Sequence, residues 1–260
     1  TVTVTAASPV VKTGRTQVTS TVGEMAVQNL PVNGRNFIDF ALLTPGVTRD
    51  VRTGDISFAG QRGTLNSLVV DGADNNNTFF GQAAGRTGSG RAPYQFSQGA
   101  VKEFQVNSNS FAAEYGRAGG AVINVVTKSG TNEYHGSAFE FFRDKSLNAT
   151  NAINELNNLP KSAYRFNQFG ATVGGPLRRG RDFFFANYDG QRNTTPNLVV
   201  LNLPANVPSD PATQAGLAIL QSKGESWERR LDQDVFLIKT DHSLTAADRL
   251  SFRYNHQNFT

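Results

Sequence analysis

His135, His242 and His256 are the only imidazoles in the 260 residues. A histidine metal site needs ligands at short, regular spacing on one element. These three fall on separate stretches that read as different strands, so each is read as a residue of a strand face. With no cysteine, thiolate nucleophiles, Cys-based metal sites and disulfides are excluded together. The run Gly85 to Gly90, GRTGSG, is flexible but lacks the Gly-Lys-Ser/Thr ending that places a lysine and a hydroxyl on phosphates. Asp71 to Asn77, DGADNNN, offers oxygen ligands to calcium but lacks the later bidentate carboxylate of an EF-hand loop, so calcium is the weaker reading. Arg178, Arg179 and Arg181 form the densest basic cluster. Without interleaved aromatic rings to stack on bases they read as a solvated turn, and nucleic acid is not an expected partner. No catalytic residues, metal or cofactor are expected, and the chain reads as a non-enzyme.

Composition says which elements hold these residues. Glycine occurs 25 times and phenylalanine 19 times, while Met and Trp occur once each, a balance that suits strands and turns better than packed helices. Hydrophobic content is 38 %, low for a soluble core. No window approaches the roughly 20 apolar residues of a transmembrane helix, but a barrel wall alternates residue types and crosses lipid without any long apolar run. The opening lacks a charged segment followed by an apolar one, so Thr1 reads as an internal position, after a removed signal peptide or after a further domain.

Thr1 to Ala7, TVTVTAA, alternates Thr with Val as an exposed strand or a peptide that adds to a partner's sheet edge does. Ser8 to Gln28 reads as a linker. Asn33 to Leu43, NGRNFIDFALL, places Phe37, Ile38, Ala41 and Leu42 on one face of a short helix, stopped by Pro45 and Gly46. Asp71-Gly72 is a strong turn signal after an apolar strand, and Gly116 to Val126 reads as a close-packed strand. Near Gly130 the pattern changes. Beyond it, strands are expected at Glu133 to Arg143, Arg165 to Gly174, Asp182 to Gln191, Asp232 to Asp241 and Arg249 to Asn258. Their connections run long, short, long, short, as in bacterial outer-membrane barrels with long external loops and short periplasmic turns. Leu250, Phe252 and Tyr254 share one face and Ser251, Arg253, Asn255 and Gln257 the other. Phe169, Ala171 and Val173 form a similar apolar face, and Phe183-Phe184-Phe185 is expected in an interfacial aromatic girdle.

Four segments carry a family resemblance: LPVNGRNF at Leu30 to Phe37, LVVDGADNN at Leu68 to Asn76, VVTKSGTNEYHGSAFEFFRD at Val125 to Asp144, and GGPLRRGRDFFFANYDGQR at Gly174 to Arg192. With these the chain resembles the TonB-dependent outer-membrane receptors of the Oar-like branch over nearly its whole length. The resemblance implies an α+β plug domain followed by antiparallel strands of an incomplete transmembrane β-barrel. Residues 1–28 would be a TonB box or the end of a preceding domain plus linker, 29–130 the plug, and 131–260 the first barrel strands. The family closes about 22 strands, so about five imply a piece of a longer protein.

The resemblance also assigns roles. Thr1, Val2, Thr3, Val4, Thr5 and Ala6 become the candidate TonB box, with the last strand of a preceding domain as the alternative. Asn33, Gly34, Arg35, Asn36 and Phe37, with Gly60, Arg62, Asn66, Asp71 and Gly72, match plug motifs and look structural; for the first five a tight turn with a helix cap and a functional role both stay open. Arg62, Glu114 and Arg117 are candidates for polar contacts between plug and barrel, where charge would keep the interface hydrated and releasable. The implied partners are TonB, outer-membrane lipid and an extracellular solute, with the plug facing the periplasm and the long loops outside. Energised uptake is the expected function, with adhesion or protein export on the same fold as the alternative.

Overall fold

The computed structural model describes residues 18–50, 55–76, 96–111, 115–156, 159–197, 206–223 and 227–260. The first half contains β1 (Val18–Val22), α1 (Glu24–Asn29), a 3-10 turn at Phe37–Leu43, β2 (Val47–Arg49), β3 (Ile56–Phe58), β4 (Ser67–Val70), β5 (Ala73–Asp74), β6 (Val101–Asn109) and β7 (Val122–Thr127). β1, β6, β7, β4 and β5 join in that order into one sheet, in which β4 and β7 run parallel and the other pairs antiparallel. β2 and β3 form a separate hairpin. The sheet buries Phe104, Val106, Leu68, Val70, Ile123 and Val125, and Phe37 and Phe40 lie against Phe104 with ring centroids 6.5 and 6.1 Å away.

The segment Phe37–Leu43 departs from the expected amphipathic α-helix. It is a 3-10 turn that buries Phe37, Ile38, Phe40 and Ala41, while Leu42 is exposed. A repeat of three residues per turn pairs Phe37 with Phe40 and Ile38 with Ala41, which moves Phe40 into the core and Leu42 out of it.

The second half is an antiparallel meander of β8 (His135–Asp144), β9 (Arg165–Arg178), β10 (Asp182–Asn197), β11 (Trp227–Ser243) and β12 (Arg249–Phe259), paired in chain order with β8 and β12 at the open margins. The connections 145–164 and 198–226 are long, the first holding α2 (Ala152–Leu156) and the second α3 (Pro211–Lys223); 179–181 and 244–248 are short. The expected five strands and their alternating connections are therefore present, but β10 and β11 run further toward the long connection than the alternation indicated. Among the described residues no helix is long and apolar enough to cross a membrane, which leaves a crossing by strands open.

The polarity of this sheet is inverted relative to that of a soluble protein. Gln168, Asn187, Asp189, Gln191, Gln233 and Lys239 are buried, whereas Phe252 and Tyr254 are 66 % and 63 % exposed, and Val173, Phe236, Ile238 and Leu250 are exposed too. One face is largely apolar and bare; the other carries these polar residues beside Phe185, Val235 and Leu237 and is covered by the α/β unit along β9 to β11, while β8 is exposed along most of its length. Phe185 is a correction to the expected girdle. It turns to the covered face, is buried and joins Leu237 in the apolar cluster of the α/β unit, because alternation along β10 sends every second residue inward.

Gly130 marks the passage from one unit to the other, and its close contacts explain its residue type. A Cβ there would lie 2.3 Å from the Phe184 carbonyl oxygen and 2.5 Å from that of Gly175, backbone atoms that cannot swing aside. Gly130→Val is expected to destabilise the protein by about 1–3 kcal/mol, read as a lower thermal midpoint of the detergent-solubilised protein by circular dichroism. An unchanged midpoint would show that the crossing has slack.

Candidate functional site

The surface between the α/β unit and the polar face of the strands is the candidate site, and Asp71 is its centre. Asp71 (φ 47°) and Gly72 (φ 83°) both adopt the left-handed conformation and close the β4–β5 hairpin, as a type I′ turn requires. The turn aims the Asp71 carboxylate at the strands. Its Oδ1 accepts from the Thr127 N–H at 2.8 Å; its Oδ2 accepts from the Thr127 hydroxyl and from Arg253 Nη1, each at 2.6 Å. Lys239 Nζ stands 3.8 Å from the same oxygen and donates to Thr127 Oγ1 at 3.2 Å.

Lys239 and Arg253 are direct cross-strand partners on β11 and β12. Like charges in that position repel, and both side chains are largely shielded, at 10 % and 19 % exposure. Asp71 is their shared counterion. Burial alone would raise its pKa, but the bonds from Thr127, the charge of Lys239 and the bond from Arg253 outweigh that and hold the carboxyl below its ordinary range. Arg253 also lies 5.4 Å from the Phe96 ring centroid.

Two further contacts join the units. The buried Ser97 hydroxyl donates across the boundary to Asp189 Oδ2 at 2.7 Å, and within the strands Gln168 Nε2 holds the same carboxylate by donating to Oδ1 at 3.3 Å. Gly99 permits this approach, since a Cβ would meet Asn187 Nδ2 at 3.1 Å and Thr172 Cγ2 at 3.2 Å. On the other flank, the Arg35 guanidinium sits 4.0 Å from the Phe139 centroid and 5.5 Å from that of Phe141, a cation–π contact worth about 1 kcal/mol.

The motif residues take separate roles. Gly34 (φ 70°) and Arg35 (φ 53°) form a left-handed turn that projects Arg35 toward β8. Asn36 caps the following 3-10 turn by accepting from Ile38 N at 3.3 Å, and Phe37 anchors the core. The Asn33 backbone opens this turn. Gly60 follows β3 with φ 79°. Buried Asn66 donates to the Ile56 carbonyl at 2.7 Å and accepts from Ala121 N at 3.2 Å.

The expected polar bridges fall elsewhere. Arg62 is exposed beside the 3-10 turn Gly63–Leu65, and Arg117 pairs with Asp74 of its own unit at 3.0 Å. Glu114, like Thr1, Val2, Thr3, Val4, Thr5 and Ala6, lies outside the described residues. Lys239 and Asp189 were missed by the sequence reading; Arg253 was assigned to the polar face but not to a partner. The oxygen-rich segment at Asp71 has its carboxylates engaged by protein donors: Asp71 as above, and Asp74 by Asn76 N at 2.9 Å, Asn76 Nδ2 at 2.7 Å and Arg117. The histidines are dispersed: His242 Nδ1 lies 3.1 Å from Asp182 Oδ1, His135 meets the Thr131 hydroxyl, and His256 stacks on Tyr254.

A sequence model of the outer membrane beta barrel domain matches residues 126–226. The TonB-dependent transporter Oar of Myxococcus xanthus is 32 % identical over 165 residues, which is 59 % of this chain and 14 % of that protein. Among solved structures, the siderophore receptor PirA of Acinetobacter baumannii aligns with 93 % of this chain and 31 % of its own (TM-score 0.57, 19 % identity). A variant of the ferric enterobactin receptor PfeA of Pseudomonas aeruginosa aligns with 94 % of this chain and 33 % of its own (TM-score 0.62, 14 % identity). The outer membrane transporter YddB of Escherichia coli aligns with 93 % and 33 % (TM-score 0.59, 15 % identity). At these identities the likeness to the solved receptors is one of fold. The chain thus spans about a seventh of its curated relative and about a third of those receptors.

Asp71→Asn keeps the turn but leaves Lys239 and Arg253 facing each other without a carboxylate. The expected loss in docking of the α/β unit is on the order of 3 kcal/mol, read as faster proteolysis of that unit in the folded protein; Asp71→Asn with Lys239→Met should recover part of it. A carboxyl with a lowered folded pKa contributes stability that is full above its ordinary value and is lost as pH falls through the lowered one. Wild-type docking should therefore weaken below about pH 4, while the Asp71→Asn variant should show a flatter profile there. A steep acid transition retained in Asp71→Asn would assign it to another group.

Proposed function

We propose that this chain, which belongs to the TonB-dependent receptors of the outer membrane, supplies a plug and the adjoining barrel strands of an energised uptake system. The α/β unit acts as the plug, and β8 to β12 act as barrel wall with the bare apolar face toward lipid. The observation that carries this reading is the inverted sheet, whose polar face is covered by the α/β unit through charge and hydrogen bonds rather than through a broad apolar seam. Among the described residues of β8 to β12, Phe185 and Leu237 are those that enter the apolar cluster of that unit. Such a seam holds the unit in register yet lets water replace its bonds when it is pulled.

In this reading β8 and β12 pair with further strands, since unpaired edge groups in hydrocarbon would cost several kcal/mol each. The long connections 145–164 and 198–226 face outward and the short turns face the periplasm. Thr1 to Ala6 is the segment that TonB pairs with by strand addition. Pulling there displaces the plug and admits a solute from outside; no bond of the solute is made or broken.

The test is depletion of solutes from defined medium by cells with and without the full-length gene, each with and without TonB. Depletion of one solute that needs both supports the reading, and equal profiles in all four strains overturn it. Proline at Val2 and Val4 removes the N–H groups that strand addition uses. That variant should lose co-purification with the periplasmic domain of TonB while remaining folded in the membrane. Undiminished co-purification would move the TonB contact to another segment.

A further inference from the structure

Two cavities lie in succession along the flank of the α/β unit that faces β8 and β9. The first, of about 790 Å³, is bounded by Lys128, His135, Ser137, Phe139 and Phe185. The second, of about 510 Å³, is bounded by Leu30, Phe141, Arg143, Phe166 and Gln168. Each has the volume of a small-molecule site. They share Gln28, Asn29, Arg35 and Gln98, so these four residues form the partition between them.

Arg35 is the part of that partition seated on the strands. Phe139 belongs to one cavity and Phe141 to the other, and the guanidinium lies over both rings. Its backbone is left-handed at φ 53°, directly after Gly34 at φ 70°, a conformation that side-chain-bearing residues hold only where the surroundings enforce it. The linings are also unequal in charge. Among the described lining residues Glu24 is the one carboxylate, and it pairs with Lys128 at 3.6 Å, against Arg35, Lys102, Lys128 and Arg143.

We infer that Arg35 is a gate between these cavities, and that together they form the passage along β8–β9 for a solute carrying carboxylate or phosphate groups. The inference rests on the plug reading and adds to it the route, the closing residue and the charge of the cargo. An anionic group entering past Arg143 draws the guanidinium off Phe139 and Phe141, because a charge-assisted bond to an anion is stronger than the ring contact it replaces. The cavities then merge along a cationic wall leading toward Lys128 and Lys102.

These 260 residues carry no cysteine, so with any cysteine elsewhere in the full-length protein replaced by serine, a single introduced thiol is the only site probed in outer-membrane vesicles. Ser137→Cys in the first cavity is treated from outside with an anionic sulfonate or a cationic trimethylammonium thiosulfonate reagent. With Arg35 present, labelling should be slow. Arg35→Ala should accelerate it at least about tenfold, more for the anionic reagent, whereas Arg117→Ala should not change it. Leu237→Cys, buried under the α/β unit, should stay unlabelled throughout. No acceleration in Arg35→Ala, or a preference for the cationic reagent, overturns the gate. Labelling of Leu237→Cys together with Ser137→Cys shows the whole unit leaving and also overturns a local gate. The plug reading is tested apart from this by KCl conductance in planar bilayers: deletion of residues 18–130, the whole α/β unit, should open a large pore whether or not Arg35→Ala leaks, and if it leaves conductance unchanged the plug reading itself fails.

Discussion

Two cations stand opposite one another on neighbouring strands, and the seating of the first half of the molecule on the second depends on how their charge is balanced. Lys239 and Arg253 are cross-strand partners on the covered face of the sheet. At a separation of roughly 5 Å and an effective dielectric near 20, two such charges repel by about 3 kcal/mol. One carboxylate between them turns the repulsion into attraction, and Asp71 is delivered there by a two-residue turn whose left-handed geometry leaves little freedom in its aim. A shift of the β4–β5 hairpin by one residue would take the carboxylate away and leave the cations exposed to each other. The contact therefore sets the register of docking as well as contributing to its strength.

The same logic accounts for the sparse apolar content of the seam. A continuous hydrophobic surface on the covered face would hold the α/β unit far more tightly than scattered polar contacts do. Phe185 and Leu237 give a small apolar anchor. Around it, Asp189, Gln168, Asn187 and Lys239 offer groups that water can satisfy once the cover moves. Stability of the α/β unit itself comes from its own phenylalanine core, with Phe37, Phe40, Phe58 and Phe104 all fully buried, so the unit can shift without unfolding.

Legibility in the sequence followed the physics of each element. The existence and order of the five strands of the second half were readable, because alternation and turn chemistry act locally, but β9, β10 and β11 run four to six residues beyond the expected ends. Where β10 continues through Arg192 to Asn197 and β11 begins at Trp227, the ladder persists although the sequence no longer alternates. Backbone bonds hold this ladder together whether or not one of its faces is apolar. Phe37–Leu43 was recognisable as a buried short helix, but the choice of three residues per turn is made by packing against Phe104, which no local window contains. Asp71 was singled out as a turn residue; its partner Arg253 lies 182 residues further along, beyond any spacing rule. Arg62 and Arg117 looked equally able to bridge the units, and Arg117 instead found the nearer carboxylate of Asp74. An exposed arginine takes whichever acid the fold brings closest, and composition does not say which.

The seam is also mechanically unequal across its width. On the β11–β12 side it is held by a carboxylate with a lysine, an arginine and a threonine, in a partly shielded setting where breaking the set costs on the order of 3 kcal/mol. On the β8–β9 side the inter-unit contacts include a guanidinium over two rings, worth about 1 kcal/mol, with open volume on either side of it. A force applied to the α/β unit from its N-terminal end would be resisted more at the first flank than at the second. The unit would then tilt about Asp71 before it detached, widening the space beside Phe139 and Phe141 while Lys239 and Arg253 kept their counterion. In the uptake reading proposed above, a wall that opens along one edge and stays neutralised along the other would let a solute pass and the unit reseat in the same register, because Asp71 keeps the contact that defines it.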